Sequence, residues 1–339
     1  MLLSVVRRLL VGVCCLLGVI GISATSAGAF SLAPTNWSSS ITSIVPSDDA
    51  VAIEVIDGGD AMRLTARPGH VVVIPGYRNE PYLRITATGE VDANLRSPTW
   101  WANSTSTGTG DIPESADPTA EPEWSRVGDD GSVLWHDHRV HAMPGVTGDT
   151  DWSVLVTVDD LPVVVRGRLT KLPSHTPIAE LVLAIVAAAG VLVFGNRSAW
   201  RTVRLATISA SVLAMFVAIG GWTATPTGFD PPRAAMVATG LAVVFALAST
   251  LVRRTSRRLR SLFVIGSIAA LGWWIALMVP SITAAVVPNS FSPILVRSIL
   301  AIVGGVVVGV AIVVVMTGGF SDTDEGDQAE TAELAEPSL

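Results

Sequence analysis

The chain has 339 residues, half of them apolar and only 15% charged, with a formal net charge of −7 and a mean hydropathy of +0.53. A soluble domain carries about a quarter charged residues, so this composition excludes an ordinary soluble globular protein and a basic nucleic-acid binder. The two cysteines, Cys14 and Cys15, lie together in an N-terminal apolar run, which leaves the rest of the chain without a disulfide, a Cys-type zinc site or thiol chemistry.

Residues 1–29 read as a secretory signal peptide. Arg7 and Arg8 precede fourteen apolar residues, Leu9 to Ile22, and Ala27-Gly28-Ala29 offers a small-x-small cleavage site before Phe30. Fourteen apolar residues fall short of the roughly 20 that a spanning helix needs.

Residues 30–176 carry twenty acidic and ten basic residues and alternate with period two. Val51, Ile53 and Val55 alternate with polar neighbours, Asp57-Gly58-Gly59-Asp60 supplies a turn, and Met62, Leu64 and Ala66 resume the pattern. His70 to Ile74, Tyr82 to Leu95 and Ser132 to His138 supply further strands. Trp152 to Val158 and Val163 to Leu169 flank a last turn at Asp159-Asp160-Leu161-Pro162. Seven or more short strands without a convincing amphipathic helix predict an immunoglobulin-like antiparallel β-sandwich, with 102–123 as a long loop.

Five apolar runs follow, at about 178–194, 205–222, 234–252, 262–280 and 297–316, each at or near the length of a transmembrane helix. The expected fold is therefore a β-sandwich ectodomain followed by a five-helix transmembrane bundle. Loops 195–204 and 253–261 hold eight arginines, whereas 223–233 and 281–296 hold one, Arg233. By the positive-inside rule the Arg-rich loops face the cytoplasm, residues 30–176 lie outside, and the acidic tail 321–339, a disordered and solvated segment, ends inside. The localisation that follows is multi-pass in the cell membrane. The span centres carry no ionisable residue, since Glu180 and Arg297 sit near helix ends, which argues against transport. Gly305-x-x-x-Gly309 provides a small-residue stripe for close helix contact, within the chain or between chains.

The most distinctive stretch is Trp135-His136-Asp137-His138-Arg139-Val140-His141-Ala142-Met143, which holds three of the five histidines. On a strand reaching 138, His136 and His138 share one face and Asp137 takes the other. With His141 folded back and Met143 as a soft ligand, these residues form a candidate metal site of copper type. The alternative is a structural corner tied by hydrogen bonds and an Asp137–Arg139 pair, and the spacing matches no standard metal motif. Tyr77, Tyr82, Trp100 and Trp101 are candidate partner-binding aromatics, with packing in a sandwich core as the competing reading. No nucleophile elbow or phosphate loop is present, which points to a non-enzymatic protein.

These features together resemble a group of actinobacterial multi-pass membrane proteins. Its members read Gly-Tyr-x-x-Glu-Pro-Tyr-Leu-Arg, matched by Gly76 to Arg84, and then Trp-His-Asp-His-Arg-x-His-Trp-Met, matched from Trp135 to Met143 except that Ala142 replaces Trp. Asn94 to Pro98 and the order of signal, β domain and five helices belong to the same resemblance. It implies an envelope protein of high-GC Gram-positive bacteria. The expected partners are the lipid bilayer and another envelope protein or component, or a metal ion, with no nucleic acid.

Overall fold

The region before the apolar runs forms ten strands in a computed structural model that describes residues 32–47, 49–59, 61–103, 111–143, 145–226, 229–252 and 257–317. The signal segment 1–29 and the tail 321–339 lie outside the described residues. The strands are β1 (Trp37–Val45), β2 (Val51–Ile56), β3 (Ala61–Ala66), β4 (Val72–Pro75), β5 (Pro81–Ile85), β6 (Val91–Asn94), β7 (Trp124–Gly128), β8 (Ser132–Trp135), β9 (Thr150–Val158) and β10 (Leu161–Lys171). Every pairing is antiparallel. One sheet has the order β1-β10-β9-β4-β5-β6-β7, the other β2-β3-β8.

Alternation decides which side chains enter the core. Trp152, Val154, Val156 and Val158 of β9, and Val163, Val165 and Leu169 of β10, are buried from the larger sheet; Met62, Leu64, Val133 and Trp135 meet them from the smaller one. Asp159 and Asp160 join β9 to β10 with φ of 48° and 65°, the left-handed pair of a tight two-residue hairpin. Trp37–Val45 and Trp124–Gly128, to which the sequence assigned no element, are strands β1 and β7. A short helix, α1 (Pro98–Ala102), follows Ser97, whose hydroxyl accepts from the Trp100 amide.

Five helices complete the chain: α2 (Ile178–Arg197), α3 (Ala199–Ala224), α4 (Arg233–Leu251), α5 (Arg257–Met278) and α6 (Pro293–Met316). All five are long and apolar enough to cross a membrane. Three begin before their apolar runs. Arg201 and Arg204 lie within the first two turns of α3, Arg260 within the first of α5 and Arg297 at the start of the second of α6, because helix geometry continues through interfacial residues. Gly305 and Gly309 face α2 of the same chain. A Cβ on Gly305 would collide with the Ala184 carbonyl oxygen, and one on Gly309 would lie 2.9 Å from that of Ala188. The small-residue stripe thus serves packing within the chain.

The β domain rests on one end of this bundle. Thr35 and Val286 exchange backbone hydrogen bonds of 3.1 and 2.9 Å, and the Asn36 side chain accepts from the Ala285 amide at 2.7 Å. The His175 amide donates to Thr283, and Phe229, from the α3–α4 connection, is buried with Ala61 beside Leu32, Ile56 and Leu134. Arg297 turns back to the carbonyls of Ser281 and Ala284, so the α5–α6 connection is held from within. The α2–α3 junction, with Arg201 and Arg204, and the start of α5, with Arg260, therefore lie at the opposite end from the β domain.

Candidate functional site

Three sequence stretches that lie far apart along the chain meet at one corner of the β domain: 75–82, 94–103 and 135–143. Strand β8 ends at Trp135, three residues earlier than its apolar pattern predicts. Asp137 is responsible. Its Oδ1 accepts from the Arg139 amide at 2.9 Å, and its carbonyl accepts from Val140 at 3.1 Å, which folds 137–140 into a turn. His136 and His138 are therefore not two alternate residues on one strand face. Their rings still meet, edge to face, with centroids 4.8 Å apart, and the His141 ring stands 5.3 Å from that of His136.

Asp137 is completely buried. Arg139 gives it two side-chain hydrogen bonds, Nε to Oδ1 at 2.8 Å and an Nη to Oδ2 at 2.7 Å, while Trp135 Nε1 donates to Oδ2 at 3.0 Å. With the Arg139 amide, four donors hold one carboxylate. Burial disfavours charge on Arg139, yet its hydrogen bonds to Asp137 raise the guanidinium pKa above its ordinary value. The guanidinium also lies 5.5 Å from the centre of the Tyr77 ring and donates to the Pro75 carbonyl.

A second buried carboxylate stands beside it. Glu80 is 3% exposed, and its Oε1 accepts from the hydroxyls of Ser97 and Thr99, both at 2.7 Å, while Oε2 accepts from the Arg78 amide at 3.0 Å. Burial pushes this carboxyl up, but the hydrogen bonds outweigh it and hold the pKa below the usual range. Gly76 makes the approach feasible, since any Cβ there would collide with Glu80 Oε1 and Thr99 Oγ1. Asn94 adds a bridge, donating to the Pro81 carbonyl at 2.7 Å and accepting from the amides of Arg96 and Glu123.

Asn103 joins the two halves. Its Nδ2 donates to the His136 carbonyl at 3.0 Å, and its Oδ1 accepts from the Tyr77 hydroxyl at 3.1 Å. That hydroxyl in turn accepts from the His138 amide, and the two rings stack with centroids 5.5 Å apart. Burial, reinforced by the neighbouring Asp137 charge, raises the Tyr77 pKa.

The four aromatic candidates separate cleanly. Tyr77 is 37% exposed at the rim. Tyr82 is a correction: it lies in the core at 3% exposure, its hydroxyl beside Asn103 and its pKa raised by burial, and offers no surface to a partner. Trp100 is half-buried against the core, and half-buried Trp101 donates its Nε1 to the Leu95 carbonyl at 2.8 Å.

Among the metal candidates, His136 is buried, His138 and His141 are half-buried, and Met143 is 38% exposed. Burial first, and the neighbouring His136 second, lower the pKa of both His138 and His141, which favours their neutral forms. The His141 ring is also hydrogen-bonded to the Gly59 backbone. Among the described residues no group of three or more His, Cys, Asp or Glu side chains is arranged to hold a metal ion. His70 lies elsewhere, its Nδ1 2.8 Å from Asp159 Oδ2.

The chain matches no protein-family model, no curated protein and no solved structure. Glu80, Ser97, Thr99 and Asn103 did not stand out in the sequence as parts of a site. Only the Gly-Tyr-x-x-Glu spacing hinted at Glu80; its partners are ordinary loop residues brought in by α1.

Proposed function

We propose that this is a non-enzymatic integral membrane protein that presents its β domain, a sandwich of immunoglobulin-like kind, outside the cell membrane to bind another envelope protein or component. The observation that carries this reading is the state of the conspicuous polar groups. Asp137, Glu80 and Arg139 are engaged by protein donors and acceptors and serve to fix a corner, while the Tyr77–His138 stack and Met143 remain at its rim, where a partner can reach them. The outside placement is supported by the arginines, which gather at the end of the bundle opposite the β domain. Photo-crosslinking in intact cells tests it. A crosslinker at Tyr77 should yield a discrete adduct that one at Leu155, on the outer face of β9, does not; equal labelling from both sites, or none from either, refutes the reading.

A second reading, an extracytoplasmic copper-type metal site, rests on one observation: the rings of His138 and His141 stand 4.8 and 5.3 Å from that of His136, centre to centre. His136, His138 and Met143 would supply the ligands, with His141 joining once it leaves Gly59. Titration of the full chain in detergent with Cu(II), Zn(II) and Ag(I) decides this. A stoichiometric site lost in His136→Ala and His138→Ala supports metal binding; no heat with any of the three removes it.

A further inference from the structure

The end of the bundle remote from the β domain carries a basic cavity that the corner motif does not explain. Helix α3 starts there at Ala199, and Ser198 gives it no side-chain cap, so its first amides and the positive end of its dipole open on this side. Beside this terminus is a cavity of about 240 Å³ lined by Trp200, Arg201, Arg204, Ser249, Arg260 and Val264. Three arginines, Arg201 exposed and Arg204 and Arg260 half-buried, thus line one space in whose lining no carboxylate occurs among the described residues. Arg260 is stacked over Trp200, with its guanidinium carbon 4.5 Å from the ring centre. The Trp200 Nε1 is a buried donor that meets no acceptor among the described residues. Neighbouring like charges repel and an unfilled buried donor is costly, and one anion relieves both.

A second depression says which kind of anion. A groove of about 490 Å³ runs along the seam between α2 and α3, lined by Ala187, Gly190, Phe194 and Leu205, and it ends at Ser198 and Arg201. Arg201 therefore borders both the basic cavity and the apolar groove. From Ala187 to Ser198 the groove covers eleven helical steps, about 16 Å, close to the roughly 15 Å of hydrocarbon in one leaflet. A Cβ on Gly190 would meet no atom within 4 Å, so the groove floor is open there.

We propose that this end of the bundle binds one anionic phospholipid, with its phosphate among Arg201, Arg204, Arg260 and Trp200 Nε1 and an acyl chain in the α2–α3 groove. A free phosphate satisfies the cavity and leaves the groove without an occupant; a zwitterionic lipid fills the groove and brings a cationic group to the arginines.

The test is native mass spectrometry of the full chain in detergent, with dioleoyl phosphatidylglycerol, dioleoyl phosphatidylcholine or inorganic phosphate added. Phosphatidylglycerol adducts should persist at activation energies that strip phosphatidylcholine, and inorganic phosphate should not compete them away at equal concentration. Replacing both Arg201→Gln and Arg204→Gln should weaken the phosphatidylglycerol adduct about thirtyfold. Trp200→Phe, which keeps the stack and removes the N–H, should weaken it severalfold. Gly190→Leu fills the groove without touching charge or backbone and should also weaken it. Equal retention of the two lipids overturns the proposal. So does competition by inorganic phosphate, which would make this a free-phosphate site, or an adduct insensitive to Gly190→Leu. The lipid comparison is made on the unaltered chain, so the test stands even where a variant fails to fold.

Discussion

Removing the Asp137 carboxylate should be among the most damaging single changes in the β domain. In Asp137→Ala the buried Trp135 indole N–H and the Arg139 guanidinium lose their acceptors together, and the turn that ends β8 loses its side-chain tie. Breaking a buried ion pair from one side costs about 3–5 kcal/mol. The Arg139 side chain keeps 25% of its surface in contact with solvent, which places the loss at the lower end of that range. Asp137→Asn preserves shape and one acceptor and forfeits the charge-assisted bonds, about 1.5–3 kcal/mol. For a domain of this size ~3 kcal/mol lowers the melting temperature by ~10 °C. Thermal unfolding of the full chain in detergent, followed by tryptophan fluorescence, reads this directly. The double variant Asp137→Ala with Arg139→Ala should cost less than the sum of its parts, because removing the arginine takes away the stranded charge. An Asp137→Ala protein melting within ~4 °C of the parent would show that the pair is not a buried keystone.

The imidazoles give the β domain an acid limit. His138 and His141 have folded-state pKa values below the 6.5 of the unfolded chain, so the unfolded state binds more protons and stability falls as pH drops below about 6.5; unfolding at pH 7.5 and 5.5 should show the loss, reduced in His138→Gln. Glu80, held below 4.5, adds a second loss as pH falls through its folded value, and Glu80→Gln should remove that later phase. Gly76→Ala must displace either Glu80 or Thr99, and should cost about 1–3 kcal/mol in the same melting experiment; a neutral result would mean that the carboxylate site opens freely. Gly305→Val should separate α2 from α6 and yield aggregated protein on gel filtration, whereas Gly304→Ala, where a Cβ finds open space, should behave as the parent.

The sequence was most legible where one physical pattern dominated. Period-two alternation located β2, β3, β9 and β10, because each buries one face and wets the other. Uninterrupted apolar length located the five helices, and among the described arginines of the Arg-rich loops, Arg201, Arg204 and Arg260 lie at the end of the bundle that the β domain leaves free. Strand β1 was missed because Trp37-Ser38-Ser39-Ser40 has no apolar alternation; its regularity comes from pairing with β10, and Ser39 is buried as the acceptor of the Trp152 indole N–H. The end of β8 was misplaced because Leu134-Trp135-His136 continues the pattern locally, while the Asp137 turn depends on an arginine two residues later. The corner itself was half legible. Its histidines drew attention by their density, but Glu80, Ser97, Thr99 and Asn103 are assembled by chain reversals whose endpoints no local period reveals.

Both ends of the β domain arrive at the helix bundle together. Strand β1 begins at Trp37, directly after the Thr35–Val286 bridge, and its partner β10 ends at Lys171, seven residues before α2. A domain hung from a single thread swivels and passes nothing of its load to the bilayer. This one is clamped along one sheet edge by its own entrance and exit, so a pull on the far strand β7 becomes a torque across seven strands, delivered to the loop that Arg297 braces. A force applied to the β domain therefore acts on the helices through a lever rather than a leash.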